Sequence, residues 1–166
     1  PGGFVLAMCG GAYLPEIFSM FQASGLKYFY EFQMKAPDKA PTVWRDGVDY
    51  PVPVLAKTKP LLIYSKGSAA PRVAGIVTLF EPVDGPTKIY HHWGQDVGSA
   101  RYYIDCFTAP GDLVYDPFIG GGTTAVACEL IGRRWIASDV DPVALETTRK
   151  RLAGEFLPRA VTLFDM

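Results

Sequence analysis

Leu113-Val114-Tyr115-Asp116-Pro117-Phe118-Ile119-Gly120-Gly121-Gly122-Thr123-Thr124, continued by Ala125-Val126-Ala127-Cys128, decides how this chain is read. The apolar run ends on an acid, three glycines follow, and helix-forming residues come directly after. That order predicts a buried strand, a tight turn and the first turns of a helix. Glycine lets a backbone approach a ligand closely, and a helix N-terminus offers unpaired N–H groups to a polar or anionic group. Asp116 would then place a carboxylate at the mouth of the turn. Gly120-x-Gly122-x-x-Ala125 also fits the dinucleotide-binding pattern, which is a weak signal when it stands alone.

The next stretch adds a second acid at a telling distance. Gly132 suits the left-handed residue past a helix end, and Trp135-Ile136-Ala137-Ser138-Asp139-Val140-Asp141-Pro142 reads as a second strand ending in carboxylates. Asp139 lies 19 residues after Gly120. At the tip of a neighbouring parallel strand, a carboxylate can accept hydrogen bonds from the ribose hydroxyls of a bound nucleoside. The plain alternative is a turn with a helix-capping acid. Asp141 is as good a cap for a helix opening at Pro142 as it is a ligand.

Asp116-Pro117-Phe118 ahead of the glycines sets the stretch apart from nicotinamide sites, where the glycine turn follows the strand directly. Asp116 to Thr124 resembles motif I of the amino-directed (adenine-N6/cytosine-N4) DNA methyltransferases, Asp-Pro-Phe-x-Gly-x-Gly-Thr-Thr, at every position. The likeness continues through Gly132-Arg133-Arg134 to Asp139 and Pro142, and reaches back to His92-Trp93-Gly94-Gln95, which resembles motif X. It is most specific over 91–152. The resemblance implies an α/β fold: a Rossmann-like S-adenosylmethionine-dependent methyltransferase sheet with helices on both faces, in strand order 3-2-1-4-5-7-6. It implies S-adenosylmethionine as cofactor and double-stranded DNA as partner. The cofactor-binding residues carried over are Asp116, Pro117, Phe118, Gly120, Gly121, Gly122, Thr123, Thr124, Asp139, Trp93 and Gln95. Of these, Thr123 and Thr124 are expected to cap the helix, with a bond to the cofactor's carboxylate as a further role. The Phe118 ring would pack on the methionine half, and Trp93 and Gln95 would close the pocket.

The same family places an Asp/Asn/Ser-Pro-Pro-aromatic motif before its fifth strand, where it holds the flipped base while the nitrogen attacks the sulfonium methyl. No Pro-Pro pair occurs in these 166 residues, so no catalytic residue is nominated. The chain is therefore read as one methyltransferase-domain fragment, 1–166, inactive alone and lacking the central fourth strand. Residues 1–68 would be part of the catalytic half, 69–90 a short target-recognition insert, and 91–166 the cofactor-binding half. The short insert points to a phage or orphan enzyme. A cognate restriction-modification nuclease and the oligomeric state are left open. Alternatives are a methyltransferase of RNA or a small molecule, a nicotinamide- or flavin-binding Rossmann protein, and a non-catalytic partner subunit.

Composition bounds these readings. A chain of 166 residues with 49% hydrophobic and 20% charged residues suits a soluble globular domain. Cys9, Cys106 and Cys128 lack ligand spacing, and only His91 and His92 could join them, so no metal site is expected. No apolar run reaches membrane-spanning length, no secretory leader is expected, and the cytoplasm is the simple location. Net charge is −1, which argues against a broad nucleic-acid surface. Residues 27–72 nevertheless carry eight Lys/Arg against four acids, interleaved with Trp44 and Tyr50, which suits either a phosphate backbone or a solvated loop.

Upstream, Phe4-Val5-Leu6-Ala7-Met8 predicts a strand covered on both faces, and Leu14, Ile17, Phe18 and Phe21 a helix ending near Gly25. Leu26 to Met34 alternates as a half-buried strand near a sheet edge, with Tyr28, Tyr30, Phe32 and Met34 on one side and Phe29 the exception. Residues 35–58 read as a proline-rich loop, Lys59 to Ser65 as a strand turned at Gly67, and Gly75 to Phe80 as a short strand. A helix is predicted from Ser99 to Phe107, another from Pro142 to about Leu152, and a last strand at Val161 to Phe164. By the resemblance, the strands at Phe4, Leu26 and Lys59 would be the fifth, sixth and seventh.

Overall fold

The computed structural model describes residues 2–35, 57–81 and 94–154, and the backbone of 42–43 and 54–55. The chain divides into two compact units, Pro1–Val83 and Asp84–Met166. Trp93, both histidines, Trp44, Tyr50 and the predicted strand at 161–164 lie outside the described residues.

In the first unit, β1 (Gly3–Met8) leads through a 3-10 turn, Gly11–Tyr13, into α1 (Leu14–Ala23) and β2 (Lys27–Lys35). The two-residue strands β3 (Thr42–Val43) and β4 (Val54–Leu55) pair with each other, interrupting what the prolines suggested was plain loop. Then come β5 (Thr58–Lys66) and β6 (Leu79–Phe80). The sheet order is β1-β5-β2-β6, with β5 antiparallel to both β1 and β2. The first three strands thus take the 5-7-6 order expected for their counterparts.

β5 forms the core of this unit. Leu61, Leu62, Ile63 and Tyr64 are buried in succession, which requires cover on both faces. On one face, α1 sets Phe21 against Tyr64 with ring centroids 4.6 Å apart, and Phe18 against Tyr28 at 5.7 Å. Such contacts contribute about 0.5–1.5 kcal/mol each beyond their burial. On the other, residues 71–78 and β2 border a cleft of about 310 Å³ whose lining includes Phe29, Tyr30, Phe32, Val73 and Ile76.

Two sequence expectations change here. β1 is only half-buried along its middle, because it is an edge strand whose outer side has no ladder partner among the described residues. β2 does lie near the edge, as expected: beyond β5 it pairs, among the described residues, only with the two-residue stub β6, at Gln33 and Met34. Only Leu79–Phe80 of the predicted 75–80 strand forms. The alternation in β2 is also broken. Tyr28 pairs with Tyr64 and Tyr30 with Ile63, so Phe29 is the extra residue of a bulge. A one-residue slip transfers every later side chain to the other face. Tyr28 therefore sides with Tyr64, while Tyr30 and Phe32 side with Ile63 and Leu61.

The second unit runs α2 (Val97–Phe107), β7 (Leu113–Asp116), α3 (Thr123–Leu130), β8 (Arg134–Ala137) and α4 (Pro142–Leu152). β7 and β8 form a separate parallel sheet, with Val114 opposite Trp135 and Tyr115 opposite Ile136. Val114 and Trp135 pack against a cluster of Ile104, Ala127 and Cys128 from α2 and α3. Leu113, Tyr115 and Ile136 on the reverse face are exposed. α2 and α3 cover the Val114 and Trp135 face. α2 begins two residues before the predicted Ser99, since Asp96 caps it by accepting from the Ser99 N–H at 2.6 Å. α3 ends as Gly132 predicts: Gly132 sits at φ 66°, the Arg133 N–H reaches the Cys128 carbonyl at 2.9 Å and the Gly132 N–H the Glu129 carbonyl at 3.4 Å.

Candidate cofactor site

β7 delivers Asp116 at its C-terminal end, where the chain must turn before α3. The Asp116 carboxylate accepts from the Phe118 N–H at 2.9 Å, folding Pro117 and Phe118 over as an Asx turn. Both residues are exposed, Phe118 at 80%. The Ile119 carbonyl then accepts from the Gly122 N–H at 2.9 Å, closing a four-residue turn with Gly120 at φ 52°. Gly122, at φ 80°, is the N-cap of α3. Only glycine takes both positive values without strain.

Helix capping by Thr123 and Thr124 is therefore corrected. With a glycine at the cap, α3 has no side-chain cap, and the Thr123 hydroxyl instead donates to the Gln95 carbonyl at 3.3 Å. This bond brings Gln95, ahead of α2, to the head of α3. Asp141 does cap α4, accepting from the Val143 N–H at 2.8 Å.

Asp139 lies beside the turn, and its two oxygens are already engaged. One accepts from the Gly120 N–H at 2.8 Å and the other from the Asp141 N–H at 3.0 Å. A carboxylate oxygen has two lone pairs, so hydroxyl donors from a ligand can still be accepted. The turn is held from a second side by α4, which the sequence did not single out. The Thr148 hydroxyl donates to the Gly120 carbonyl at 3.0 Å, and Arg151 donates to the Gly121 carbonyl at 2.7 Å. Their partners are 28 and 30 residues away, so no local pattern announces them.

Within the turn itself, the Gly121 N–H is left over. Gly121 is buried, and among the described residues nothing accepts from this N–H. Orphaned buried amides are rare in folded proteins. With the orphan N–H at one end and the lone pairs of Asp139 at the other, the donor set fits a ligand carrying an acceptor and a hydroxylated sugar. Beneath the turn, Cys128 is fully buried, and that burial pushes its thiol pKa up to about 11, so it stays neutral and takes no part in chemistry. Among the described residues no group of His, Cys, Asp and Glu is placed to hold a metal ion. No helix there is long and apolar enough to cross a membrane.

A parallel strand pair, an Asp-Pro-Phe turn into three glycines and an acid on the next strand tip together form one Rossmann-like site. Residues 90–150 match the family model described as DNA methylase. Among curated relatives the chain is 46% identical over 48 residues to the type II methyltransferase M2.DpnII of Streptococcus pneumoniae, a match covering 29% of this chain and 18% of that protein. It thus spans less than a fifth of that relative. Among solved structures, the M1.HpyAVI–SAM complex superposes with TM-score 0.71 at 22% identity, covering 90% of this chain and 74% of that one. The cytosine-N4-specific PvuII DNA methyltransferase gives TM-score 0.70 at 18% identity, covering 97% and 65%. At these identities the structures speak for the fold, and the fold is the one the resemblance implied.

Proposed function

We propose that this chain is the cofactor-binding part of a DNA methyltransferase. The whole enzyme would transfer a methyl group from S-adenosylmethionine to an exocyclic amino group of adenine or cytosine in double-stranded DNA. The observation that carries the reading is the glycine turn, braced on all sides yet leaving the Gly121 N–H unsatisfied, next to Asp139. S-adenosylmethionine would supply the activated methyl group. The residues proposed to hold it are Asp116, Pro117, Phe118, Gly120, Gly121, Gly122, Thr123, Thr124 and Asp139, with Trp93 and Gln95 closing the site. The turn amides would take acceptors of the methionine portion, and Asp139 the ribose hydroxyls. What this stretch contributes to catalysis is orientation. With no Pro-Pro pair among its residues, methyl transfer by this stretch alone is not expected.

DNA as partner is supported by the family match and by the charge of the first unit. Residues 1–83 carry eight Lys/Arg against six acids, and one of those acids, Glu81, is paired with Lys35 at 3.1 Å. A cytoplasmic enzyme of restriction-modification type is the setting that the type II relative suggests. That relative is bacterial, and nothing in the matches described speaks for a phage origin.

Calorimetric titration with S-adenosylmethionine and with NAD tests the reading. Binding of the first and not the second is expected. Binding of NAD alone would replace it with the nicotinamide alternative, and turnover on DNA by the chain alone would refute its catalytic incompleteness.

A further inference from the structure

The Gly121 amide has no partner, but it is not loose. In a trans peptide the N–H and the preceding carbonyl point in opposite directions. No cis peptide bond occurs among the described residues, so the direction of the Gly121 N–H is fixed by whatever holds the Gly120 carbonyl. Thr148 holds it, from α4, through a hydroxyl on a side chain that is itself buried. Arg151, one helical turn further, holds the next carbonyl, that of Gly121, whose peptide partner N–H on Gly122 is spent on Ile119. Asp139 fixes the peptide before, through the Gly120 N–H. Three successive peptide planes are thereby set from outside the turn, and the one amide left over is directed away from α4.

We propose that Thr148 and Arg151 are positioning residues of the cofactor site. They touch no ligand, but set the Gly120 and Gly121 carbonyls so that the Gly121 N–H is presented to an acceptor atom of S-adenosylmethionine. This rests on the assignment of the turn as the site for that cofactor. α4 is then part of the binding apparatus, although none of its side chains enters the pocket on this account.

The test is calorimetric titration of the 166-residue chain with S-adenosylmethionine, beside the 15N–1H signal of Gly121. Thr148→Val keeps the shape and removes the donor, whereas Thr148→Ser keeps the donor. The valine variant should bind roughly tenfold more weakly, the scale of one well-made hydrogen bond. It should also lose the shift of the Gly121 signal on ligand addition, and the serine variant should recover both. A purely structural Thr148 would change the melting temperature and leave the Gly121 shift intact. Should the valine variant not fold, Arg151→Met, on a half-buried side chain, applies the same reading at the Gly121 carbonyl. Unchanged affinity and an unchanged Gly121 shift in a folded variant would overturn the proposal while leaving the cofactor assignment standing. Failure of the unaltered chain to bind S-adenosylmethionine would overturn both.

Discussion

A methyl group at Gly122 would meet the Thr148 side chain at 3.0 Å and its Cα at 3.3 Å, on a backbone already at φ 80°. Gly111 has nearly the same angle, φ 81°, but open space around it. The left-handed backbone alone costs a non-glycine residue about 1–2 kcal/mol. Gly111→Ala should therefore lose about that much stability, and Gly122→Ala distinctly more, since α4 must also shift. Urea unfolding of the two variants checks this, and equal midpoints would show that α4 yields freely. Of these two constraints, only the first was legible in the sequence. A glycine cluster after a strand announces a turn, whereas the residue that crowds it lies 26 positions further along the chain. Asp139 was found at its spacing, but its duty to the Gly120 and Asp141 amides depends on two backbone directions that no spacing reveals.

Elements are joined in the second unit by one buried cation. Arg133, with its side chain 3% exposed, pairs with Asp105 and donates to the Thr108 hydroxyl and carbonyl and to the Ile131 carbonyl. It thereby ties the end of α2 to the end of α3. Arg133→Met keeps the length and forfeits every one of those bonds; because Asp105 is half exposed and regains water, a loss of about 1–3 kcal/mol is expected in chemical denaturation. The sequence marked Arg133 only as a motif residue after a helix-ending glycine. Alkaline stability should follow α2 and α3 as well. Burial raises the Cys128 thiol from 9.0 to about 11, and Tyr103 on α2 from 10.0 to about 12. Both protons are held more tightly in the folded chain than in the unfolded one. The stability this brings is complete below pH 9, drains through the Cys128 window first, and continues to fall toward pH 12. Cys128→Ala should flatten the first part of that decline in pH-dependent melting curves, and an unaltered decline would argue against it. Helices α1, α2 and α4 were legible to within about two residues because apolar spacing and caps are local signals. The β2 bulge was visible only as Phe29 breaking an alternation, since its cause is the pairing with β5.

For the whole molecule, two sheets with open sides matter more than any one contact. Leu113, Tyr115 and Ile136 are 50%, 61% and 55% exposed on one face of the β7–β8 sheet, and β1 runs along the edge of the other. Exposed apolar faces and unpaired edges promote self-association. Light scattering should show an apparent mass that rises with concentration, and Leu113→Lys with Ile136→Lys should suppress the rise. A constant mass in the unaltered chain would refute this. The 5-7-6 order of β1, β5 and β2 and the pairing of β7 with β8 were legible from the motif resemblance and not from composition, which carries no information on which strands neighbour one another.

The pairing of Gly3 with Lys66 and of Leu113 with Arg134 has a consequence in time. The second contact closes a short stretch of chain that already contains its own helix, whereas the first must wait for some sixty residues to come together. Search entropy rises with that separation, and folding slows with it. Pulsed hydrogen exchange during refolding should therefore find the amides of the glycine-turn module protected first, and those joining β1 to β5 last. A chain emerging residue by residue would still hold β1 waiting for a partner made much later.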